Sequence, residues 1–304
     1  MAVALTVLVG TAGVALQIPQ ADGDTALVVH VGNDPADLRQ FEQWLGCPVD
    51  GVAISTGQRD WTDWSGSIEF QLNRWRDTRR RLYWAIPLIP HGASLAEAGR
   101  GAYSGRYARA AREIVAGTPG DATIPIRTGW EFNADFFPWA SHGREADYVA
   151  AFRRFAETFR GVSPRFRFEW VPNIGGTDDP AASYPGDDVV DVIGMDAYYD
   201  TRWLPDDARL AWAYTVERPY GLRWLETFAK AHGKPTAYAE WGVMTPGAGP
   251  YIEQAAAWFE RTRPIYQSYW NSDSTFQGKL SGGRLKPAAA AYRNAFASCR
   301  DADA

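Results

Sequence analysis

Residues 124–140 read IPIRTGWEFNADFFPWA. A short β-rich apolar run ends on one carboxylate, Glu131, and passes into a cluster of aromatic residues. Arg127 stands four positions before that glutamate and Asn133 two after it. A strand that is apolar along its length and polar where it stops suits a parallel sheet buried on both faces, in which ligand chemistry collects at the strand ends. Seven further stretches have the same character: ALVVHVG (26–32), DGVAIST (50–56), LYWAIPLIP (82–90), FRFEWVPN (166–173), VVDVIGMDAYY (189–199), PTAYAEWG (235–242) and PIYQSYW (264–270).

Segments of helical period separate these strands: residues 34–46, 65–81, 104–117, 144–162, 218–233, 249–263 and 286–299. Several open on Ser, Asp or Gly and close on Gly, as helix caps require. Only the connection IGGTDDPAASYPGDD (174–188) lacks a clear helix. Eight strands with intervening helices and no low-complexity linker point to the α/β class and one (β/α)8 barrel, placed at residues 25–304. An open doubly wound sheet is the competing architecture. The turn VGNDPAD after the first strand lacks the glycine spacing of a dinucleotide site, which counts against it.

The 304 residues carry a formal net charge of -5 with no block of basic residues resembling a nucleic-acid footprint, so nucleic acid is not an expected partner. Aromatic content is high, at 14 each of Trp, Tyr and Phe. A core needs few tryptophans, so some are expected to face a ligand. Residues 1–24 are apolar over a signal-peptide length but lack a basic start, which suits an export segment or a remnant of one, or an N-terminal tail. No later segment reads as membrane-spanning, and a monomer, secreted or at the cell surface, is the expectation. The two cysteines, Cys47 and Cys299, end the first and last helices, which barrel closure makes neighbours. A Cys47–Cys299 bridge would pin the closing seam.

Two glutamates end strands: Glu131 on the fourth and Glu240 on the seventh, each following an apolar strand and directly preceding an aromatic residue. Glycoside hydrolysis needs a protonated acid on one side of the scissile bond and an ionised carboxylate on the other. Strands four and seven lie across the barrel mouth from each other and can supply that pair. The segment RTGWEFNADFFPW (127–139) resembles the acid/base signature of glycoside hydrolase family 26, a group of β-mannanases and related β-glycanases. That signature runs Arg, two residues, His, Glu, Met, Asn, followed by aromatics. Arg127, Glu131 and Asn133 stand at the matching spacings, while DVIGMDAYY is similar to the family's sixth strand and YAEWG to its seventh.

The resemblance implies that Glu131 is the general acid/base, Glu240 the nucleophile and Tyr198 the phenol that orients the nucleophile. It also implies an aromatic floor for the sugar at Trp270. Asn133, Trp130, Trp170, Asn173, His91, His30, Trp241 and Trp61 are further substrate-contact candidates, and Trp64, Trp84 and Trp139 looser ones. Arg127, inside its strand, needs carboxylate partners if buried, and Asp196 on the sixth strand is the expected one. Two departures stand out: Trp130 occupies the position of the family's histidine, and Phe136 that of a common tryptophan. Mannose-specific recognition therefore does not carry over.

The four histidines form no His-x-His or His-Glu-x-x-His pattern, so no metal and no cofactor are expected. The leading expectation is a retaining endo-β-glycanase, mannanase-like, acting on a polysaccharide or oligosaccharide. A hydrolase of the same mechanism with a different glycan, a carbohydrate-binding barrel without catalysis, and a metal-dependent lyase or isomerase using Glu131, Asp196 and Glu240 as ligands are the alternatives.

Overall fold

The eight apolar runs pair in chain order. In the computed structural model, which describes residues 25–176 and 178–297, they form β1 (Ala26–His30), β2 (Gly51–Ser55), β3 (Arg81–Ala85), β4 (Ile124–Arg127), β5 (Phe166–Trp170), β6 (Val192–Tyr199), β7 (Thr236–Val243) and β8 (Tyr266–Trp270). Every neighbour pair is parallel and β8 pairs back with β1, which closes the barrel. The (β/α)8 expectation is borne out. Residues 1–24 and Cys299 lie outside the described residues.

The surrounding helices are α1 (Pro35–Leu45), α2 (Trp61–Trp75), α3 (Leu95–Gly99), α4 (Ser104–Gly117), α5 (Glu145–Val162), α6 (Ala208–Glu217), α7 (Leu222–Ala231), α8 (Gly249–Thr262) and α9 (Lys286–Phe296). The second helix, expected over 65–81, starts at Trp61 because the Asp60 carboxylate accepts from the amides of Thr62 (2.8 Å) and Asp63 (2.9 Å), capping it there. It stops at Trp75, and Arg81 already belongs to β3. Among its described residues, the connection expected to lack a helix holds only a 3-10 turn, Pro180–Ser183.

The sequence pattern gave no sign of α6. Its inner face, Ala211, Trp212, Thr215 and Val216, is buried, but Leu210 and Tyr214 on the outer face are exposed, which erases the polar side of the period. Asp207, whose carboxylate accepts from the amides of Arg209 and Leu210, was the available start signal. Among the described residues no helix is long and apolar enough to cross a membrane.

The seventh strand departs from regular pairing. Against β6, Gly194 pairs with Ala237 but Asp196 with Glu240, so β7 spends three steps where its neighbour spends two. Against β8, Tyr238 pairs with Gln267 and Trp241 with Tyr269, the same surplus of one residue. A bulge of this kind reverses the in-out alternation downstream of it. Tyr238 points outward, its hydroxyl donating to Glu226 of α7 at 2.7 Å. Two positions later, regular alternation would point Glu240 outward as well. The extra residue turns it into the barrel.

Candidate active site

Arg127 crosses the barrel from the end of β4. Its Nη1 donates to Glu240 Oε2 of β7 at 2.8 Å and its Nη2 donates to Asp196 Oδ2 of β6. The guanidinium also lies under the Trp130 ring, 5.2 Å from its centroid. Asp196 is fully buried and the Arg127 side chain only 9% exposed, so water does little to screen these charges. Burial pushes the Asp196 carboxyl upward, and the Arg127 cation works against that push.

Glu240 has a second partner. Tyr198 Oη donates to Glu240 Oε1 at 2.5 Å, so both nucleophile-candidate oxygens are held in place by donors. The Tyr198 ring comes close to the backbone of β7 because residue 242 is glycine: a Cβ there would stand 2.8 Å from Tyr198 Cε1. Burial, reinforced by the Glu240 charge, holds the Tyr198 phenol far above its ordinary range, which keeps it a neutral donor.

Glu131 sits differently. Its backbone has φ 50°, in the left-handed region that glycine favours, and its amide donates to the Val171 carbonyl beyond β5 at 2.7 Å. A non-glycine residue held there carries strain that the surroundings must sustain, a feature concentrated at functional sites. The preceding Gly129 also has positive φ, 58°, and its carbonyl accepts from the buried Tyr148 hydroxyl at 2.8 Å. These constraints fold the strand end sharply enough to aim Glu131 into the mouth. Asn173 Nδ2 donates to Glu131 Oε1 at 2.5 Å.

Burial, then the neighbouring Glu240 charge, pushes the Glu131 carboxyl up to about 7, while Arg127 and the Asn173 amide pull the other way. Arg127 bonds Asp196 and Glu240 and not Glu131, so its pull on the acid is diluted by two closer carboxylates. One carboxyl is thus disposed to keep its proton near neutrality while the other is surrounded by donors. That is the asymmetry that acid/base and nucleophile roles require.

Aromatic rings complete the wall. Trp270, ending β8, stacks on His30 at 4.0 Å between centroids, and His30 Nδ1 lies 3.0 Å from the Ala53 carbonyl. Burial lowers the His30 pKa, with Glu240 opposing, so the ring is held neutral. Phe276, in the loop after β8, packs on Tyr198 at 4.3 Å and on Trp270 at 6.4 Å. It was not picked out from the sequence. Its signal was an aromatic among small polar residues just past a strand end. Phe136 and Trp203, 61% and 81% exposed in the loops after β4 and β6, are further aromatics on this side of the barrel.

Several candidates fall elsewhere. Trp170 is fully buried, its indole N–H donating to the Ser183 carbonyl, and it packs on Phe132 and Phe228. Trp241 donates to Gln267 and packs on Phe259 and Tyr292 in the helix layer. Each directly follows an inward residue, Glu169 or Glu240, and so faces out. Trp61 packs on Tyr103, Trp64 and Tyr107 of the helix layer, away from the glutamate pair.

Trp64, Trp84 and Trp139 are core residues. His91 is exposed in the loop after β3 and makes no hydrogen bond or ring contact with this cluster among the described residues. Asn133 braces Asn173: its Nδ2 donates to the Asn173 carbonyl at 2.7 Å and its Oδ1 accepts from the Asn173 amide at 2.8 Å. It positions the residue that touches Glu131. For the bridge, the Cys47 sulfur lies 3.4 Å from the carbonyl oxygen of Ala297, two residues before Cys299.

Residues 115–233 match the model of glycosyl hydrolase family 26. The resemblance read from the sequence is borne out over that span, which contains Arg127, Glu131, Asn173, Asp196 and Tyr198 and stops short of Glu240. Family 26 consists of O-glycosyl hydrolases. A mannan endo-1,4-beta-mannosidase from Bifidobacterium adolescentis is 32% identical over 155 residues, which is 47% of this chain and 15% of that protein. The chain therefore aligns with a small part of that relative's length.

Among solved structures, the YdhT protein of Bacillus subtilis superposes with a TM-score of 0.63 at 14% identity, covering 90% of this chain and 86% of that one. A family 26 β-mannanase from Bacteroides ovatus gives 0.62 at 14% identity, covering 91% and 88%. At such identity the likeness speaks for the barrel.

Proposed function

We propose that the chain is a retaining endo-acting β-glycan hydrolase of family 26 that uses Glu131 as acid/base and Glu240 as nucleophile. The observation that carries this reading is the opposed setting of the two carboxyls: Glu131 raised to about 7 by burial, Glu240 gripped by Arg127 and Tyr198. In the first step a Glu240 oxygen attacks the anomeric carbon while Glu131 delivers its proton to the departing glycosidic oxygen. In the second, Glu131 takes a proton from water, the oxygen of which displaces Glu240 from the sugar. Asn173 steers Glu131, and Trp270 offers a ring face for a pyranose to stack on.

The name of the Bifidobacterium relative makes β-1,4-mannan the first substrate to try. Trp130 argues for a panel, since it places an indole over Arg127 where the family has an imidazole. Two alternatives lose ground on specific contacts. A metal held by Glu131, Asp196 and Glu240 would compete with Arg127, already bonded to two of the three. A binding barrel without catalysis would have no use for a strained, protonated carboxyl beside a donor-held one. Export, a monomeric state and the Cys47–Cys299 bridge belong to the same reading.

The deciding experiment is chemical rescue. Glu131→Ala should lose hydrolysis of β-glycans yet retain attack on aryl β-glycosides that have good leaving groups. Azide should then accelerate release and yield the β-glycosyl azide. An azide product of inverted configuration, or no rescue on any aryl glycoside that the unmodified chain cleaves, would overturn the assignment.

A further inference from the structure

The opposite end of the barrel carries a second concavity. A cavity of about 1110 Å³ opens among the N-terminal ends of the strands, and Arg76, Arg79, Arg80, Arg81, Arg167 and Arg263 line it. The acids in its lining are Asp121 and Glu169. Burial pushes the Glu169 carboxyl up to about 7, and the Tyr266 hydroxyl donates to it. A chain of net charge -5 thus gathers six arginines against few negative charges at the end remote from the glutamate pair.

Two of those arginines, Arg81 and Arg167, are anchored without being neutralised. Arg80 pairs with Glu42 at 2.6 Å, and Arg76 reaches only the exposed Asp77 at 3.8 Å. Arg79, Arg81, Arg167 and Arg263 form no ion pair among the described residues. Arg81 Nη2 donates to the Thr123 carbonyl at 3.0 Å, and its guanidinium lies 5.5 Å from the centre of the Tyr83 ring. Arg167 Nη1 donates to the carbonyls of Pro164 (2.7 Å) and Phe166 (2.9 Å), while its buried Nε has no partner. Carbonyl partners fix a guanidinium in space and leave its charge uncompensated, the arrangement that lowers the cost of binding an oxyanion.

We propose that this floor cavity binds an anionic glycan, a saccharide segment carrying carboxylate or phosphate groups. A lone inorganic anion would fill a small fraction of the volume and meet few of the arginines. A ligand that engages several guanidinium groups needs several oxyanions on a bulky frame, and the partly exposed Leu72, Leu82 and Pro119 of the lining supply apolar surface for sugar rings between them. The site stands apart from the catalytic reading and does not depend on it.

The test is fluorescence anisotropy on the full chain with labelled oligogalacturonate, a phosphorylated mannan oligosaccharide and a neutral manno-oligosaccharide of equal length. At least one anionic probe should bind, with affinity falling steeply as salt rises, and which one binds identifies the oxyanion. The double variant Arg79→Gln/Arg263→Asn should weaken that binding at least tenfold while leaving the melting temperature and turnover of neutral glycan unchanged. Three outcomes would overturn the proposal: neither anionic probe binding, binding that ignores the double variant, or equal competition by duplex DNA of matched charge.

Discussion

Arg127 Nη1 lies 2.8 Å from Glu240 Oε2, and the same guanidinium donates to the buried Asp196. One cation therefore ties β4 to both β6 and β7 beneath the mouth. Removing it leaves two carboxylates facing each other in a poorly hydrated interior. Arg127→Met should cost about 3 to 5 kcal/mol of folding stability, measured by urea denaturation, and should abolish turnover. A loss under about 1 kcal/mol would mean that water already screens the trio.

Tyr198 makes a milder prediction. The Tyr198→Phe side chain keeps the ring packing on Phe276 but loses the donor to Glu240 Oε1. A hydrogen bond to a charged group is worth about 1.5 to 3 kcal/mol, so kcat should fall roughly 10- to 150-fold. KM should change little. A rise in KM at constant kcat would make Tyr198 a substrate contact.

The pH dependence follows from Glu131. A general acid raised to about 7 is protonated below that value, so kcat/KM should decline as pH rises through about 7. Asn173 donates to the ionised form and holds the value down, so in Asn173→Ala the basic limb should move to higher pH. An unmoved limb would assign the titration to another group.

The same shift bears on stability. Because the folded pKa lies above the usual 4.5, the native state binds the proton more tightly than the unfolded chain. Stability from this group is complete below about 4.5 and lost as pH rises through about 7. Glu131→Gln, neutral at every pH, should therefore gain on the unmodified chain between pH 4 and 8 in parallel denaturation curves. A constant difference across that range would show that Glu131 ionises without cost.

The seam offers a covalent check. If Cys47 and Cys299 are bridged, intact mass should rise by two hydrogens on reduction, and a Cys47→Ser chain should lose roughly 2 to 5 kcal/mol. Two thiols alkylated without reductant would remove the bridge.

Strand identity was legible because apolar runs of strand length between helical periods leave few alternatives, and all eight expected strands exist. Helices whose outer face is also apolar were not, as α6 demonstrates with Leu210 and Tyr214. Within the site, strand-end glutamates could be found because a carboxylate after an apolar run is conspicuous. Trp170 and Trp241 were misplaced by weighing residue type over alternation, since each follows an inward residue directly. Phe276 reaches the site through a loop whose path no periodicity encodes. Likewise Asn133 spends both polar groups on the Asn173 backbone, a contact 40 residues apart that spacing alone cannot reveal.

The extra residue in β7 has one more consequence. Glu240 owes its inward direction to a phase slip upstream, between Ala237 and Glu240, and not to any motif around it. Were the same residues paired through this stretch in regular register, without the slip, Glu240, Trp241 and Gly242 would stand in unbroken order while the glutamate and the tryptophan exchanged lumen and helix layer; deleting Ala239, by contrast, would make Glu240 the direct successor of the outward Tyr238 and keep it inward. A chain can thus retain every letter of a catalytic signature and lose its reaction by a change of pairing phase, and two barrels with matching signatures are comparable only once their strands are known to be in step.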